Sequence, residues 1–302
     1  MRDELRELVA RHSVEGSVAL PVPRLTLHRS ARPTEPVQVL YRPALCVVLQ
    51  GGKRAILGTR VFTYDPDSYL VLSVELPLTS AVVEADRKRP YLGMSLALER
   101  SILSPLILEV SGAEPVRPLS AGLTQSPLGP DLLDPLLRLM RLMDSPGDVD
   151  FLAPLIEREI LFRVLRGPQA SVLRQIATAG GRAARIERAT TWIKEHHAEP
   201  IRIEALAELA SMSLSSFHQH FKTLTTMSPV KYQKGIRLQE ARRLMMSGQF
   251  DMTRIGFAVG YGSPSQFSRE YRNAFGATPA QDAVRLRSGG GRSGAGLDGV
   301  PR

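Results

Sequence analysis

From Arg24 to about Leu98, short apolar runs are separated by turn-forming residues. Ala44–Gln50 leads through Gly51-Gly52 into Lys53–Leu57, which predicts a hairpin closed by a Gly-Gly turn. Gly58-Thr59, Asp65-Pro66-Asp67 and Asp86–Pro90 mark further turns between Arg60–Tyr64, Ser68–Glu75, Thr79–Glu84 and Tyr91–Leu98. Leu70, Leu72 and Val74 alternate with Val71, Ser73 and Glu75, the period of a strand buried on one face. Strands at this spacing predict a small antiparallel barrel or sandwich.

After Glu99 the apolar period turns helical as far as Val110, and a Pro-, Gly- and Ser-rich connection, Ser111–Pro130, follows. Two apolar helices are predicted next, Asp131–Met143 and Phe151–Arg166. Leu133, Leu136, Leu137, Met140 and Met143 line the first; Leu155, Ile156, Ile160, Val164 and Leu165 line the second. This pair can pack on the β domain or on the same pair in another subunit, and the second arrangement is the one expected. The full division is an N-terminal helix or arm (1–23), a β-barrel (24–111), the connection and helix pair (112–166), an interdomain linker holding a short helix (167–184), a helical domain (185–287) and a Gly-rich tail expected to be disordered (288–302). The fold class expected is therefore α+β and multidomain: an antiparallel, cupin-like barrel with helices, then an all-α domain.

Within the helical domain a degenerate repeat stands out. Leu206–Lys222 and Ile255–Arg272 each read as a short apolar helix, a turn of small residues, a capping Ser and a second amphipathic helix. That is the layout of a helix-turn-helix, at about 204–225 and 252–275. Ser263 with Pro264 and Gln266 gives an N-cap, a first-turn proline and a capping-box partner, and Ser213 can cap the earlier copy. Phe217 and Phe221, then Phe267, Tyr271 and Phe275, define the inward faces. The outward face of the first copy holds Ser215, Gln219 and Lys222, with Ser216 and His218 at its margins. The second holds Ser265, Arg269 and Arg272, flanked by Gln266 and Ser268. Neither face carries a carboxylate, and Glu270 falls to the side.

Charge sharpens this reading. The net charge is +9, yet residues 1–180 hold 21 Lys and Arg against 20 Asp and Glu, while residues 181–302 hold 18 against 10. A basic region joined to a neutral one implies a polyanion partner for that region alone. Arg pairs bidentately with guanine, Gln with adenine, and Ser and Lys hold phosphates or base edges, so double-stranded DNA is the expected partner. A helix over Pro229–Met246 would span ~27 Å, against ~34 Å between successive major-groove faces, so one chain is expected to read adjacent groove segments.

These residues resemble the AraC/XylS family of bacterial transcription regulators over about 185–287. Phe217-His218-Gln219-His220-Phe221-Lys222, Met227-Ser228-Pro229, Arg237–Leu244 and Val259–Glu270 follow the family pattern. Gly256 stands where the family usually has Ala, and Gln281-Asp282 where it usually has Tyr-Arg. The N-terminal region is similar to the β-barrel domain fused to this family, through His28-Arg29-Ser30, Leu45-Cys46, Gln50-Gly51, Leu57-Gly58, Tyr64-Asp65, Leu76-Pro77 and Pro90-Tyr91-Leu92. The resemblance implies an unidentified small-molecule effector, activation rather than repression, and RNA polymerase and a second copy of the chain as further partners.

Other classes fit poorly. Only His12 and His28 precede residue 196, so a cupin metalloenzyme lacks its ligands, and no metal or cofactor is expected. His218 and His220 lie on different sides of a helix, and His196-His197 at a helix end are expected near solvent or backbone carbonyls. Cys46, the single cysteine, excludes a disulfide framework or a multi-Cys zinc site. It leaves a thiol-based electrophile or redox sensor as an alternative, although between Leu45 and Val47 it reads as a buried strand residue. No catalytic constellation emerges. No apolar run reaches the ~20 residues of a membrane span, and the charged N-terminus lacks a signal-peptide core, so a cytoplasmic location is expected.

Overall fold

The computed structural model describes residues 1–58, 60–110, 121–178, 180–247 and 251–288. The tail from Gly289 onward, expected to be disordered, and residues 111–120, the first half of the Pro-rich connection, lie outside the described residues. An N-terminal helix, α1 (Arg2–His12), precedes nine strands: β1 (Gly16–Ala19), β2 (Leu25–Ser30), β3 (Val37–Tyr41), β4 (Ala44–Gln50), β5 (Gly52–Leu57), β6 (Arg60–Tyr64), β7 (Ser68–Leu72), β8 (Leu76–Glu84) and β9 (Tyr91–Ala97). Then come α2 (Arg100–Val110), β10 (Leu123–Pro127), α3 (Pro130–Arg141), α4 (Val149–Arg166) and α5 (Ala170–Ala177).

The strands form two antiparallel sheets, one of six strands in the order β1-β2-β9-β4-β7-β10 and one of four in the order β3-β8-β5-β6. They face each other across a common core without closing a hydrogen-bonded barrel. β4 and β5 do not form the expected hairpin. β4 pairs with β7 and β9, and β5 with β6 and β8, so Gly51 passes the chain from one sheet to the other. Gly51 has φ +75°, and a Cβ there would lie 2.3 Å from the Glu84 carbonyl oxygen, which only glycine tolerates. The predicted connection also contributes a strand: β10 pairs with β7 along Leu123–Pro127.

β7 is buried on both faces rather than one. Leu70 and Leu72 join the core between the sheets, while Tyr69 and Val71 face a helical layer. That layer explains where the apolar helices go. Leu133, Leu136, Leu137 and Met140 of α3 and Ile156, Ile160, Val164 and Leu165 of α4 pack with α1 and α5 against the six-stranded sheet. Leu155 departs from the expected face and is exposed. Arg24, with φ 64°, donates to the buried Glu157 carboxylate and ties the β1–β2 turn to α4.

The C-terminal helices are α6 (Arg182–Glu195), α7 (Ile203–Leu209), α8 (Leu214–Thr225), α9 (Pro229–Ser247), α10 (Met252–Ala258), α11 (Pro264–Phe275) and α12 (Pro279–Ser288). They divide into two unequal units. Ile186, Phe217, Phe221, Leu224 and Tyr232 of the first share one continuous core with Leu72, Val74, Leu76 and Leu78 of the β domain. The second has a small core of its own around Ile255, Val259, Phe267 and Tyr271. The Gly122 amide donates to the Leu224 carbonyl at 2.9 Å, and the Tyr232 hydroxyl to the Glu75 carbonyl at 3.0 Å. Lys194 meets the Glu75 carboxylate at 2.8 Å. The first unit is thus built into the β domain, and α9 connects it to the second.

Candidate nucleic-acid interface

Each helix-turn-helix is set by its caps. The Ser213 hydroxyl accepts the Ser216 amide at 3.3 Å, and the Ser263 hydroxyl accepts the Gln266 amide at 3.2 Å ahead of Pro264. Such caps contribute about 1 kcal/mol each. The Gln266 side chain lies near Glu270, and among the described residues no hydrogen bond runs from it back to Ser263, so the expected capping-box return is not made. The inward faces hold as predicted: Phe217, Phe221, Phe267 and Tyr271 are fully buried. Phe217–Phe221 and Phe267–Tyr271 sit 5.4 and 5.6 Å apart between ring centroids, favourable tilted pairs.

With the rings inside, the polar faces point outward. Ser215, His218, Gln219 and Lys222 of α8 are exposed, as are Ser265, Arg269 and Arg272 of α11. Ser216, Gln266 and Ser268 are half-buried. Ser216 is engaged within its own helix, its hydroxyl 3.0 Å from His220 Nδ1, which also meets the Ser216 carbonyl at 2.7 Å. Glu270 is drawn away from the polar face by Lys234 of α9, at 2.9 Å. Burial opposes ionisation of Glu270, but Lys234, with Tyr261 and Gln266 close by, outweighs it and holds the carboxyl below its usual range. His196 and His197 bond the Trp192 and Lys194 carbonyls at 3.0 and 2.9 Å.

Arg269 also borders a cleft of about 460 Å³ between the four-stranded sheet and the second unit, with Gln38, Thr79, Lys231 and Lys234 among its other walls. The β domain therefore reaches one edge of the second polar face. Sequence reasoning missed this contact, since nothing local in β3 marks it.

Both departures from the family pattern have structural reasons. Phe267 packs directly onto Gly256, with ring atoms 3.1 and 3.2 Å from where a Cβ would stand. Asp282 accepts the Tyr271 hydroxyl at 2.6 Å and lies 3.3 Å from Arg242. Cys46 lines the space between the two sheets, and burial pushes its thiol up to about 11, which keeps it protonated near neutral pH and weighs against a reactive sensor.

Residues 21–172 match the family described as the AraC-type transcriptional regulator N-terminus, and residues 206–283 match a helix-turn-helix domain. The chain belongs to the AraC family of transcriptional regulators. It is 32% identical over 149 residues to the HTH-type transcriptional activator RhaS of Salmonella schwarzengrund, a match covering 49% of this chain and 53% of RhaS. RhaS of Salmonella enteritidis PT4 matches to the same extent. The chain spans about half the length of these relatives. In fold, it is similar to apo ToxT of Vibrio cholerae, with a TM-score of 0.57 at 13% identity over 87% of this chain and 98% of ToxT. ToxT bound to (E)-4-(8-methylnaphthalen-1-yl)but-3-enoic acid gives 0.56 at 11% identity over 90% and 100%. Among the described residues no helix is long and apolar enough to cross a membrane, and no group of three or more His, Cys, Asp or Glu is placed to hold a metal ion.

Proposed function

We propose that this AraC-family chain binds double-stranded DNA sequence-specifically through both helix-turn-helix units and activates transcription in the cytoplasm in response to a small molecule. The observation that carries the proposal is the pair of exposed, acid-free polar faces on α8 and α11, each backed by buried rings. Ser215, Gln219 and Lys222 contact one groove segment, with His218 beside them; Ser265, Arg269 and Arg272 contact the next, flanked by Gln266 and Ser268. Ser216, held by His220, serves the helix more than the DNA. The activity proposed is binding, with RNA polymerase as the downstream partner. ToxT, which shares the fold, has been crystallised with an organic acid, and RhaS is an activator; both support a ligand-responsive reading.

Self-association is part of the proposal. Phe151 and Leu155, one turn apart on α4, are 77% and 56% exposed, and Phe162 follows two turns after Leu155 on the same side of the helix. An apolar stripe of this kind fits the same stripe on a second copy.

Footprinting on the DNA upstream of the protein's own gene tests the function. Two protected segments about one helical turn apart are expected, weakening steeply as salt rises. Absence of any protected segment would overturn it.

A further inference from the structure

The β domain grips the first helix-turn-helix at the end of α8. In the turn between β5 and β6, Gly58 sits against Thr226: a Cβ on Gly58 would lie 2.9 Å from the Thr226 carbonyl oxygen and 2.9 Å from its hydroxyl. Just ahead of β10, the Gly122 amide donates to the Leu224 carbonyl at 2.9 Å. Two stretches of the β domain therefore border the last turn of α8, whose final polar-face residue is Lys222.

The turn brings positive charge to that place. Arg60 opens β6 and is exposed, its guanidinium 5.1 Å from the centre of the Phe62 ring. A guanidinium seated on a ring keeps its N–H donors available, because they lie in its plane. No Asp or Glu occurs from Pro43 to Tyr64, which includes the whole β5–β6 hairpin, or from Leu209 to Gln239, which includes α8 and the start of α9. Among the described residues neither Arg60 nor Lys222 has an ion-pair partner. Two acid-free segments of different domains thus abut, each with an exposed cation beside the junction.

The spacing suits a DNA groove. Lys222 stands ~6 Å before Thr226 along the helix, and Arg60 ~7 Å beyond Gly58 along the strand. The major groove is ~12 Å wide, so two long cationic side chains separated in this way reach phosphates along one border of it. We propose that the β5–β6 turn is a third DNA contact, in which Arg60 meets a backbone phosphate at the border of the groove segment taken by α8. The proposal rests on the reading of α8 as a DNA-contacting helix and adds to it a contribution from the β domain. A phosphate contact carries no base preference, so Arg60 adds affinity and salt dependence, and the choice of sequence stays with α8 and α11.

Anisotropy titrations of the full chain on a labelled duplex from the DNA upstream of its own gene, over a series of salt concentrations, test this. Arg60→Ala is expected to weaken binding about fivefold at 0.15 M salt, and to lower the slope of log affinity against log salt by about 1. The loss should be the same on duplexes of altered sequence. Arg60→Gln, which keeps a cover over Phe62, should match Arg60→Ala and carries the test should that variant fold poorly; Arg60→Lys should keep the wild-type slope. Arg87→Ala removes an equally exposed cation from the turn after β8, at the opposite end of the sheet from Gly58, and should change neither quantity. Wild-type affinity and slope in both neutral variants would overturn the proposal, as would weaker binding with an unchanged slope, an equal effect of Arg87→Ala, or a lowered slope in Arg60→Lys. Those results leave the binding by α8 and α11 standing, whereas a wild-type chain that bound no duplex would overturn both readings together.

Discussion

Tyr271 donates a 2.6 Å hydrogen bond to Asp282 where, 50 residues earlier in the repeat, Phe221 meets the edge of the Tyr232 ring at 5.7 Å. One copy closes its core with two rings, the other with a phenol and a carboxylate that also faces Arg242. Asp282→Ala leaves the buried Tyr271 hydroxyl and the Arg242 guanidinium without this partner. A loss of about 1–3 kcal/mol is expected, confined to the second unit. Hydrogen exchange checks it: amides of α10 to α12 should lose protection while those of α8 keep theirs.

The two copies also end their second helices differently. α11 stops at Gly276 with φ 71°, whereas α8 stops at Thr226 with φ 59°, and the Thr226 hydroxyl is buried without a hydrogen-bond partner. The left-handed conformation costs a non-glycine residue about 1–2 kcal/mol. Thr226→Gly is expected to stabilise the chain by about 1 kcal/mol, read as a higher midpoint in urea unfolding with an unchanged slope.

Glu270 links α11 to α9 through Lys234. Its pKa lies below the ordinary 4.5, so its contribution is complete above that value and disappears as pH falls through the lower folded-state value. Stability curves of the wild type and Glu270→Gln should therefore run parallel from pH 7 to about 5 and converge in more acid solution. Curves that stayed parallel to pH 3 would remove this pair from the stability of the unit.

Arg269→Ala should weaken specific DNA binding by about 1–3 kcal/mol and relax the preference at one base pair. Binding titrations on a set of single-substitution operators distinguish this from loss of a phosphate contact, which would lower affinity equally on every sequence.

Local signals in the sequence located the parts whose geometry is local. Ser213, Ser263 and Pro264 mark helix starts, and the ring spacing Phe217–Phe221 and Phe267–Tyr271 sets the buried stripe, so both polar faces follow from the sequence. Relationships between distant segments did not. Gly51-Gly52 has the composition of a hairpin turn, but β4 and β5 draw partners from strands about 20 to 50 residues away. Val71 faces a helical layer that its own period cannot reveal, and Leu123–Pro127 becomes a strand only because β7 offers an open edge. Gln266 satisfies the capping-box pattern, yet its side chain lies near Glu270 one turn later and does not return to the cap. Lys53 gives no local sign of its burial between the sheets.

The common core that runs from Leu76 through Tyr232 to Phe217 has a mechanical consequence. A rotation of the sheets would turn α8 with them as one solid piece, whereas α11 would follow through the shaft of α9 and its edge contact at β3. Any rearrangement inside the β domain would thereby become a change of phase between the two helix-turn-helix units, and the length and stiffness of that shaft would fix the gearing.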